Sequence, residues 1–263
     1  VYYNGQEEMM SNYEWDAMFD ELTSLENETG IRLPESPTQN VGAEEKTGGK
    51  EAHEYPALSL AKTKSVAELE SWAGDKTIWL SWKLDGLTLV VTYDNGKLTK
   101  ILTRGNGTIG TNITFLKDAI FGIPSQIDYK GHMVVRGEAT ISYTDFELIN
   151  DTIEDDDDKY ANPRNLASGT LNLDDAQEVK RRRVHFNAFT LVHIDDEINS
   201  WGERMNYLEK LGFTVVEREK TDASGVAGTV EKWTKKVENG QMDIPVDGLV
   251  ICYDDTVFAS GGS

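Results

Sequence analysis

Residues 87–104 alternate apolar and polar side chains on either side of a tight turn, and this feature constrains the fold most. The first arm, residues 87–93, is rich in β-branched side chains, Asp94-Asn95-Gly96 follows, and residues 97–104 repeat the alternation. An Asn-Gly pair between two such runs is a strong signal of a β-hairpin, because its turn requires a positive φ. The pattern therefore predicts an antiparallel sheet.

The remaining periodicity predicts helices and strands without a regular strand–helix–strand alternation. Ser11 and Glu14 form a predicted capping box for a helix over residues 11–27. Further strands are predicted at residues 77–82, 132–138, 184–192 and 247–253, and helices at 66–73, 143–150, 201–211 and 226–238. This mixture favours an α+β fold over a doubly wound sheet. Pro34, Pro37 and the polar stretch 34–55 place a domain boundary near residue 43.

Net charge and cysteine content exclude several classes of function and site. The 263 residues carry a net charge of −20, which argues against a stand-alone nucleic-acid binder because phosphate neutralisation dominates such affinity. One cysteine, Cys252, excludes a disulfide framework and a multi-cysteine zinc site, and it favours a reducing cytosol. No stretch has the length of a membrane span. The start at Val1 suggests a fragment.

Two charge runs interrupt the acidic background. The basic run at residues 180–183 fits a solvated loop and a phosphate contact equally well. The run at residues 154–159 is predominantly acidic, lacks spaced ligands and is interpreted as an exposed loop rather than a metal site.

The motif Lys83-Leu84-Asp85-Gly86 ends an apolar strand and can build a covalent lysine nucleophile. Lys83 and Asp85 share one strand face, and Gly86 lets a nucleotide approach the backbone. A deprotonated lysine amine is a nucleophile, and Asp85 could orient a ribose or help to hold a metal. Such a motif arises by chance in roughly one chain in twenty of this size, so neighbouring motifs decide its meaning.

A glycine-rich motif, Gly-x-Gly-x-x-Gly at residues 105–110, matches the dinucleotide fingerprint of hydride-transferring enzymes. Asp128 lies about twenty residues further on, as that fingerprint requires. The strand before the motif is the polar-alternating arm of the hairpin, whereas a first Rossmann strand is continuously apolar. We therefore interpret the motif as a loop that a nucleotide can approach, with Arg104 beside it.

Two shorter motifs bring further polar groups. Glu138 ends the predicted strand at residues 132–138, where its carboxylate is either a surface group or a ligand for a ribose hydroxyl or a divalent cation. The motif Ala161-Asn162-Pro163-Arg164-Asn165 is rich in side-chain donors. In isolation it predicts only a turn.

Taken in chain order, these motifs resemble those of bacterial NAD-dependent DNA ligases. The segments that carry the resemblance are residues 36–42, 53–60, 83–86, 103–108, 135–138, 161–165 and 246–251. The resemblance covers essentially the whole chain, and Ser-Pro-Thr-Gln and Asn-Pro-Arg-Asn are specific to this branch. It implies an α+β, mixed or antiparallel, ATP-grasp-like nucleotidyltransferase domain at residues 44–263, truncated before the family's last motif. A small helical domain that binds nicotinamide mononucleotide (NMN), truncated at its N-terminus, is implied at residues 1–43.

The resemblance also implies a reaction. Lys83 would attack the α-phosphate of NAD, form lysyl-AMP and release NMN, which is the first step of DNA nick sealing. Mg²⁺ or Mn²⁺ would assist. NAD, AMP and NMN are the implied small-molecule partners, and nicked DNA would bind only together with the family's further C-terminal domains. A monomeric cytoplasmic protein of bacterial or phage origin, without membrane association, is expected.

Site residues follow from the resemblance position by position. The expected nucleotide-binding residues are Tyr2, Tyr3, Trp15, Asp16, Ser59, Leu60, Asp85, Gly86, Arg104, Glu138, Arg164, Phe189, Val250 and Cys252. Asp85, Glu138 and Asp247 are the expected metal ligands.

This sequence departs from the family pattern at Tyr3, Asn12 and Trp15 of the small helical domain, where histidine, aspartate and tyrosine are more usual, and at three positions of the adenylation domain. Ser81 replaces an adenine-contacting glutamate, Phe189 a stacking tyrosine, and Cys252 a lysine near the α-phosphate. Two alternatives to a ligase therefore stay open at this point: a non-catalytic nucleotide-binding module and a hydride-transferring oxidoreductase. NAD cleavage, binding without cleavage, and NAD reduction would distinguish the three.

Overall fold

The computed structural model describes residues 12–31, 36, 38, 49–56 and 62–261. The helices are α1 (Asn12–Thr29), α2 (Val66–Ala73), α3 (Tyr143–Asp151), α4 (Pro163–Leu171), α5 (Ala176–Arg181), α6 (Trp201–Lys210), α7 (Val226–Glu238) and α8 (Thr256–Gly261). The strands are β1 (Lys50–Ala52), β2 (Ile78–Leu84), β3 (Leu87–Asp94), β4 (Lys97–Thr103), β5 (Ile109–Thr111), β6 (His132–Thr140), β7 (His185–Ile194), β8 (Arg218–Thr221) and β9 (Val246–Tyr253). Short 3₁₀ turns lie at Thr114–Leu116 and Asp156–Asp158.

The predicted hairpin is confirmed and forms one edge of a four-stranded antiparallel sheet, ordered β4-β3-β6-β7. Asn95 and Gly96 have φ values of 50° and 78°, the left-handed conformation that the turn requires. Leu89, Val91 and Tyr93 are fully buried on one face of β3, where they join the main hydrophobic core. The alternate residues face away from that core.

A second antiparallel sheet, ordered β8-β2-β9, supports the lysine motif. Leu80, Trp82 and Leu84 of β2 are buried against Trp233 of α7. Because side chains alternate along a strand, Lys83 lies on the opposite face of β2 from this apolar cluster. Burial of one face of β2 therefore fixes the direction in which the lysine side chain points.

The glycine-rich loop at residues 105–110 connects β4 to β5, and β5 pairs only with β1 among the described strands. A Cβ on Gly110 would lie 1.8 Å from the Thr103 carbonyl oxygen, so glycine is required for this close backbone approach. No helix begins at the loop, and β4 belongs to an antiparallel sheet. The interpretation that this is not a Rossmann loop is confirmed.

The other predicted elements are confirmed with small shifts of their ends, and those of α2 and α7 match exactly the predicted bounds. One expectation is wrong: residues 163–171 form a helix rather than a turn. The Asn162 side chain accepts a hydrogen bond from the Asn165 backbone N–H, and Pro163 occupies the first turn. This capping, with burial of Leu166 and Leu171, explains α4.

The structure describes both charge runs. In the basic run, Arg181 and Arg182 bond to Glu178, and Arg183 pairs with Asp145. The acidic residues 154–158 are exposed, as expected. The boundary expected near residue 43 lies outside the described residues.

Candidate active site

Lys83 lies near the end of β2, opposite Gly248 of β9. A β-bulge follows it, between Lys83 and Leu84. Its Nζ donates a hydrogen bond to Asp247 Oδ2 at 3.0 Å, and 40% of the lysine side chain is exposed. The amine is thus held in position by an ion pair and is open to a ligand.

Asp85 lies just beyond β2, where its backbone N–H donates to the Pro245 carbonyl at 2.9 Å. Its Oδ1 lies 3.5 Å from Nη1 of Arg164, on the first turn of α4. Both side chains are largely buried. The cap at Asn162 therefore fixes the start of the helix that brings Arg164 to the lysine motif.

Glu138 of β6 lies opposite Thr88 of β3, and its carboxylate accepts hydrogen bonds from two groups at the start of β3. Its Oε1 accepts a hydrogen bond from Thr88 Oγ1 at 2.7 Å, and its Oε2 accepts one from the Gly86 N–H at 3.3 Å. Burial raises the pKa of the carboxyl to about 7, although the Thr88 hydroxyl and Arg164 oppose the shift. A Cβ on Gly86 would lie 2.0 Å from the Ala139 carbonyl oxygen, so this crossing requires glycine.

Arg104 enters the same region from the end of β4. Its backbone N–H donates to the Thr88 carbonyl at 3.0 Å, and its own carbonyl lies 2.9 Å from Nε2 of the buried His53. Arg136, two residues before Glu138 on the same strand face, has its pKa lowered by burial and by the charge of Arg104. Two arginines thus give this region positive charge.

Val250 and Cys252 lie on the face of β9 that carries the lysine, because they pair with Ser81 and Trp79 of β2. Burial raises the pKa of the Cys252 thiol to about 12, and the charge of Asp254 contributes to the shift. The thiol is therefore neutral near pH 7. Phe189 is partly buried and packs at the apolar cluster beneath β2.

Six of the predicted nucleotide-binding residues have side chains outside the described part of the structure. Tyr2, Tyr3, Ser59 and Leu60 lie outside the described residues, and for Trp15 and Asp16 only the backbone of α1 is described. Their roles stay predictions.

The predicted metal ligands are engaged elsewhere: Asp85 pairs with Arg164, Asp247 with Lys83, and Glu138 binds Thr88. Within the described part of the chain, no group of three His, Cys, Asp or Glu side chains is arranged to hold a metal ion. Their role as metal ligands therefore stays a prediction.

Sequence reasoning missed three residues of this region: Thr88, Arg136 and Asn187. Thr88 lies in the predicted hairpin and Arg136 in the segment at residues 135–138. Only the register of β3 on β6 shows that Thr88 lies opposite Glu138 and that Arg136 shares its face. Asn187 pairs with Glu138 from β7. Its one sequence signal is a polar residue between the apolar Phe186 and Ala188.

Comparison with known proteins gives consistent results. Residues 47–260 match the family model described as the NAD-dependent DNA ligase adenylation domain. A DNA ligase of Lachnoclostridium phytofermentans is 44% identical over 98% of this chain, and one of Ruminiclostridium cellulolyticum is 43% identical over 98%. The chain spans 40% and 39% of the lengths of these two curated relatives.

Among solved structures, a mycobacterial DNA ligase D complexed with ATP and MES is similar over 76% of this chain and 55% of that chain. Its TM-score is 0.43 and its sequence identity 18%. In the described residues, no helix has the length and hydropathy needed to cross a membrane.

Proposed function

The chain belongs to the family of NAD-dependent DNA ligases and contains that family's adenylation domain, and from this premise we propose that Lys83 is the residue that NAD adenylates. The lysine amine attacks the α-phosphorus of NAD. A bond forms between Nζ and phosphorus, the phosphoanhydride bond to NMN breaks, and the lysine releases a proton. The products are lysyl-AMP and NMN.

The observation that carries this proposal is the surroundings of Lys83. Its exposed Nζ is oriented by Asp247 at the rigid end of β2. The last two residues of the motif, Asp85 and Gly86, contact Arg164 and Glu138 respectively. Covalent catalysis by lysine needs an amine held by neighbouring groups in reach of its electrophile. We assign Asp247 the role of orienting Nζ before the attack.

Charge and hydrogen bonding then assign the neighbouring residues. Arg104 and Arg164 are cations beside the motif, and we assign them to the phosphates of NAD, whose negative charge grows as the new bond forms. Glu138 is assigned to the ribose. Stacking of Phe189 on adenine stays a prediction, because its ring packs at the apolar cluster on the face of β2 opposite Lys83.

The fit of a polar ligand is supported by atoms that the protein leaves unsatisfied. Arg136 Nε and Asn165 Oδ1 are buried without a hydrogen-bond partner within the described residues. Such groups are rare in native structures, and a bound ligand is one way in which they are satisfied.

The described contacts do not give the same support to a magnesium site. Because the carboxylates expected to hold it are bound to other side chains, we derive no step through a metal ion. The prediction that Mg²⁺ or Mn²⁺ assists the reaction stays a prediction.

Nick sealing is a proposal for the longer protein, because the chain spans about two fifths of its relatives' length. Residues 1–43 are proposed to hold the NMN half of NAD, and nicked DNA is proposed to bind together with further domains. We also propose that the longer protein is a cytoplasmic bacterial or phage protein, and a monomer.

A second candidate function, a nucleotide-binding module without activity, is favoured by one observation: the neutral Cys252 thiol stands where a cation is expected. Incubation of the 263-residue chain with NAD separates the two. Mass spectrometry should detect one covalently added AMP per chain, with an equal amount of free NMN. NAD binding without NMN release would instead support the binding module.

A further inference from the structure

Asn187 of β7 is a buried polar side chain that the proposed reaction does not use. It is 5% exposed, and its Nδ2 has no hydrogen-bond partner within the described residues. A buried donor without an acceptor lowers stability, so an orphaned amide in a native fold calls for a physical reason. Ligand-binding sites are where such groups are tolerated, because the ligand supplies the missing partner.

The position of Asn187 directs this free donor toward the candidate active site. Asn187 is the register partner of Glu138, and paired residues of an antiparallel sheet share a face. The Phe186 ring lies on the other face, where a Cβ on Gly137 would meet it at 2.4 Å. Asn187 and Glu138 therefore point from neighbouring strands into one space.

The Glu138 carboxylate does not satisfy the amide, because both of its oxygens bond to donors near β3. Oε1 is bound by Thr88 and Oε2 by the Gly86 N–H. A carboxylate has about four lone-pair sites, so acceptor capacity remains. The pair thus offers an unused N–H donor on β7 and unused lone pairs on β6, with their Cβ atoms about 5 Å apart.

A hydroxyl matches a donor and an acceptor at this spacing, because it accepts one hydrogen bond and donates another. We propose that Asn187 binds a ribose hydroxyl in the adenosine half of NAD. Its Nδ2 donates to the hydroxyl oxygen, and the hydroxyl donates to Glu138. This inference rests on the proposed function and adds a residue that selects ribonucleotides over deoxyribonucleotides.

The selection is measurable with AMP, 2′-deoxy-AMP and 3′-deoxy-AMP as probes, titrated calorimetrically into the 263-residue chain. The wild-type chain should bind AMP roughly five- to a hundredfold more tightly than one of the two deoxy analogues. Asn187→Leu, which keeps the volume and removes the amide, should reduce that preference by at least about fivefold. An equal loss of affinity for all three probes, or no loss, would overturn the assignment.

Stability separates binding from a structural role. Asn187→Leu removes an unsatisfied donor, so its resistance to urea should equal or exceed that of the wild type. Asn150→Leu is the matched control, because the Asn150 amide is satisfied within the protein by the backbone N–H and carbonyl of Tyr160. Asn150→Leu should lose stability and keep the wild-type preference for AMP. Asn187→Ala provides the same binding test if the leucine variant fails to fold.

The proposed reaction and this inference fail in different ways. Absence of the AMP adduct in the wild type would contradict the reaction. A wild type that forms the adduct, with an Asn187→Leu variant of unchanged ribose preference, would overturn the role of Asn187 alone. The variant should raise KM for NAD by a larger factor than it lowers kcat, because the contact holds the substrate rather than the reacting atoms.

Discussion

Lys83 and Asp247 form an ion pair, with 3.0 Å between Nζ and Oδ2, although 164 residues separate them along the chain. The pairing of β2 with β9 brings them together, since Lys83 lies opposite Gly248. The contact fixes the direction of a long side chain. In the proposed reaction the ammonium must leave this contact, as a free amine, to attack phosphorus.

Asp247→Ala should slow adenylation of the chain by roughly ten- to a hundredfold, because an unguided amine loses its alignment with the α-phosphate. Asp247→Asn keeps an oxygen that can accept from Nζ, so it should lose less. Single-turnover mass spectrometry with saturating NAD measures both rates. If the asparagine variant is as slow as the alanine variant, the charge of Asp247 matters and its geometry does not.

Glu138 should make stability depend on pH in a defined direction. Its pKa rises from 4.5 to about 7 on folding, chiefly through burial. Between these pH values the folded chain keeps a proton that the unfolded chain has released, so the free energy of unfolding falls as the pH rises. Relative to the wild type, Glu138→Gln should therefore gain up to about 3 kcal/mol across this window, measured by urea unfolding, and no more above it.

Glu178→Gln is the control, because the contribution of Glu178 to the free energy of unfolding should change with pH in the opposite direction. In the wild type, hydrogen bonds from Arg181 and Arg182 lower the pKa of the Glu178 carboxyl to about 2. The stabilisation by the wild-type carboxylate is present above pH 4.5 and is lost as the pH falls toward 2.

A wild-type chain whose stability relative to Glu138→Gln is constant from pH 4.5 to 7 would contradict the burial of Glu138.

Cys252 should limit the rate of adenylation. Its partly buried thiol is neutral, with a pKa of about 12, and supplies no positive charge to the transition state at the phosphate. Cys252→Lys should speed adenylation, by up to about a hundredfold if the new ammonium reaches the phosphate. Cys252→Met, a neutral side chain of similar length, separates charge from bulk and should not speed it. An unchanged or slower rate in the lysine variant would mean that another cation serves this site.

Residues 1–42 should matter for the use of NAD and not for binding of AMP. Their proposed role is to hold the NMN leaving group in line with the attacking amine. A chain lacking residues 1–42 should fail to form the adduct from NAD, while its affinity for AMP, measured by calorimetry, stays within about twofold of the intact chain. Adenylation at the wild-type rate would reduce this segment to a packing role.

Much of the fold could be predicted from the sequence because its signals are local. The Asn95-Gly96 turn and the alternation around it specify the hairpin, and apolar periodicity specifies α7 from Val226 to Glu238. The short strands β1, β5 and β8 were missed, since three or four residues carry too little periodicity. Helix α4 was missed because Gly169 and Ser168 lower its propensity, although Asn162-Pro163 was a readable start signal.

In the candidate site, too, the residues of local motifs could be predicted and the contacts between distant segments could not. The family resemblance names Lys83, Asp85 and Glu138, yet no local pattern shows that Asp85 meets Arg164 or that Glu138 meets Thr88. Those contacts depend on the register between strands distant in sequence and on the direction of α4. Asn187 was invisible for a further reason: one asparagine in an apolar strand gives no signal of which face it occupies until the β6–β7 register is known.

The most direct test of the central claim, that Lys83 is the covalent nucleophile, is to locate the AMP adduct on the chain. After incubation with NAD, peptide mass spectrometry should find AMP on the peptide containing Lys83. Lys83→Ala should form no adduct while keeping the wild-type midpoint of urea unfolding, because this partly exposed side chain contributes little to the core. An adduct on any other lysine, or an adduct that persists in Lys83→Ala, would contradict the account.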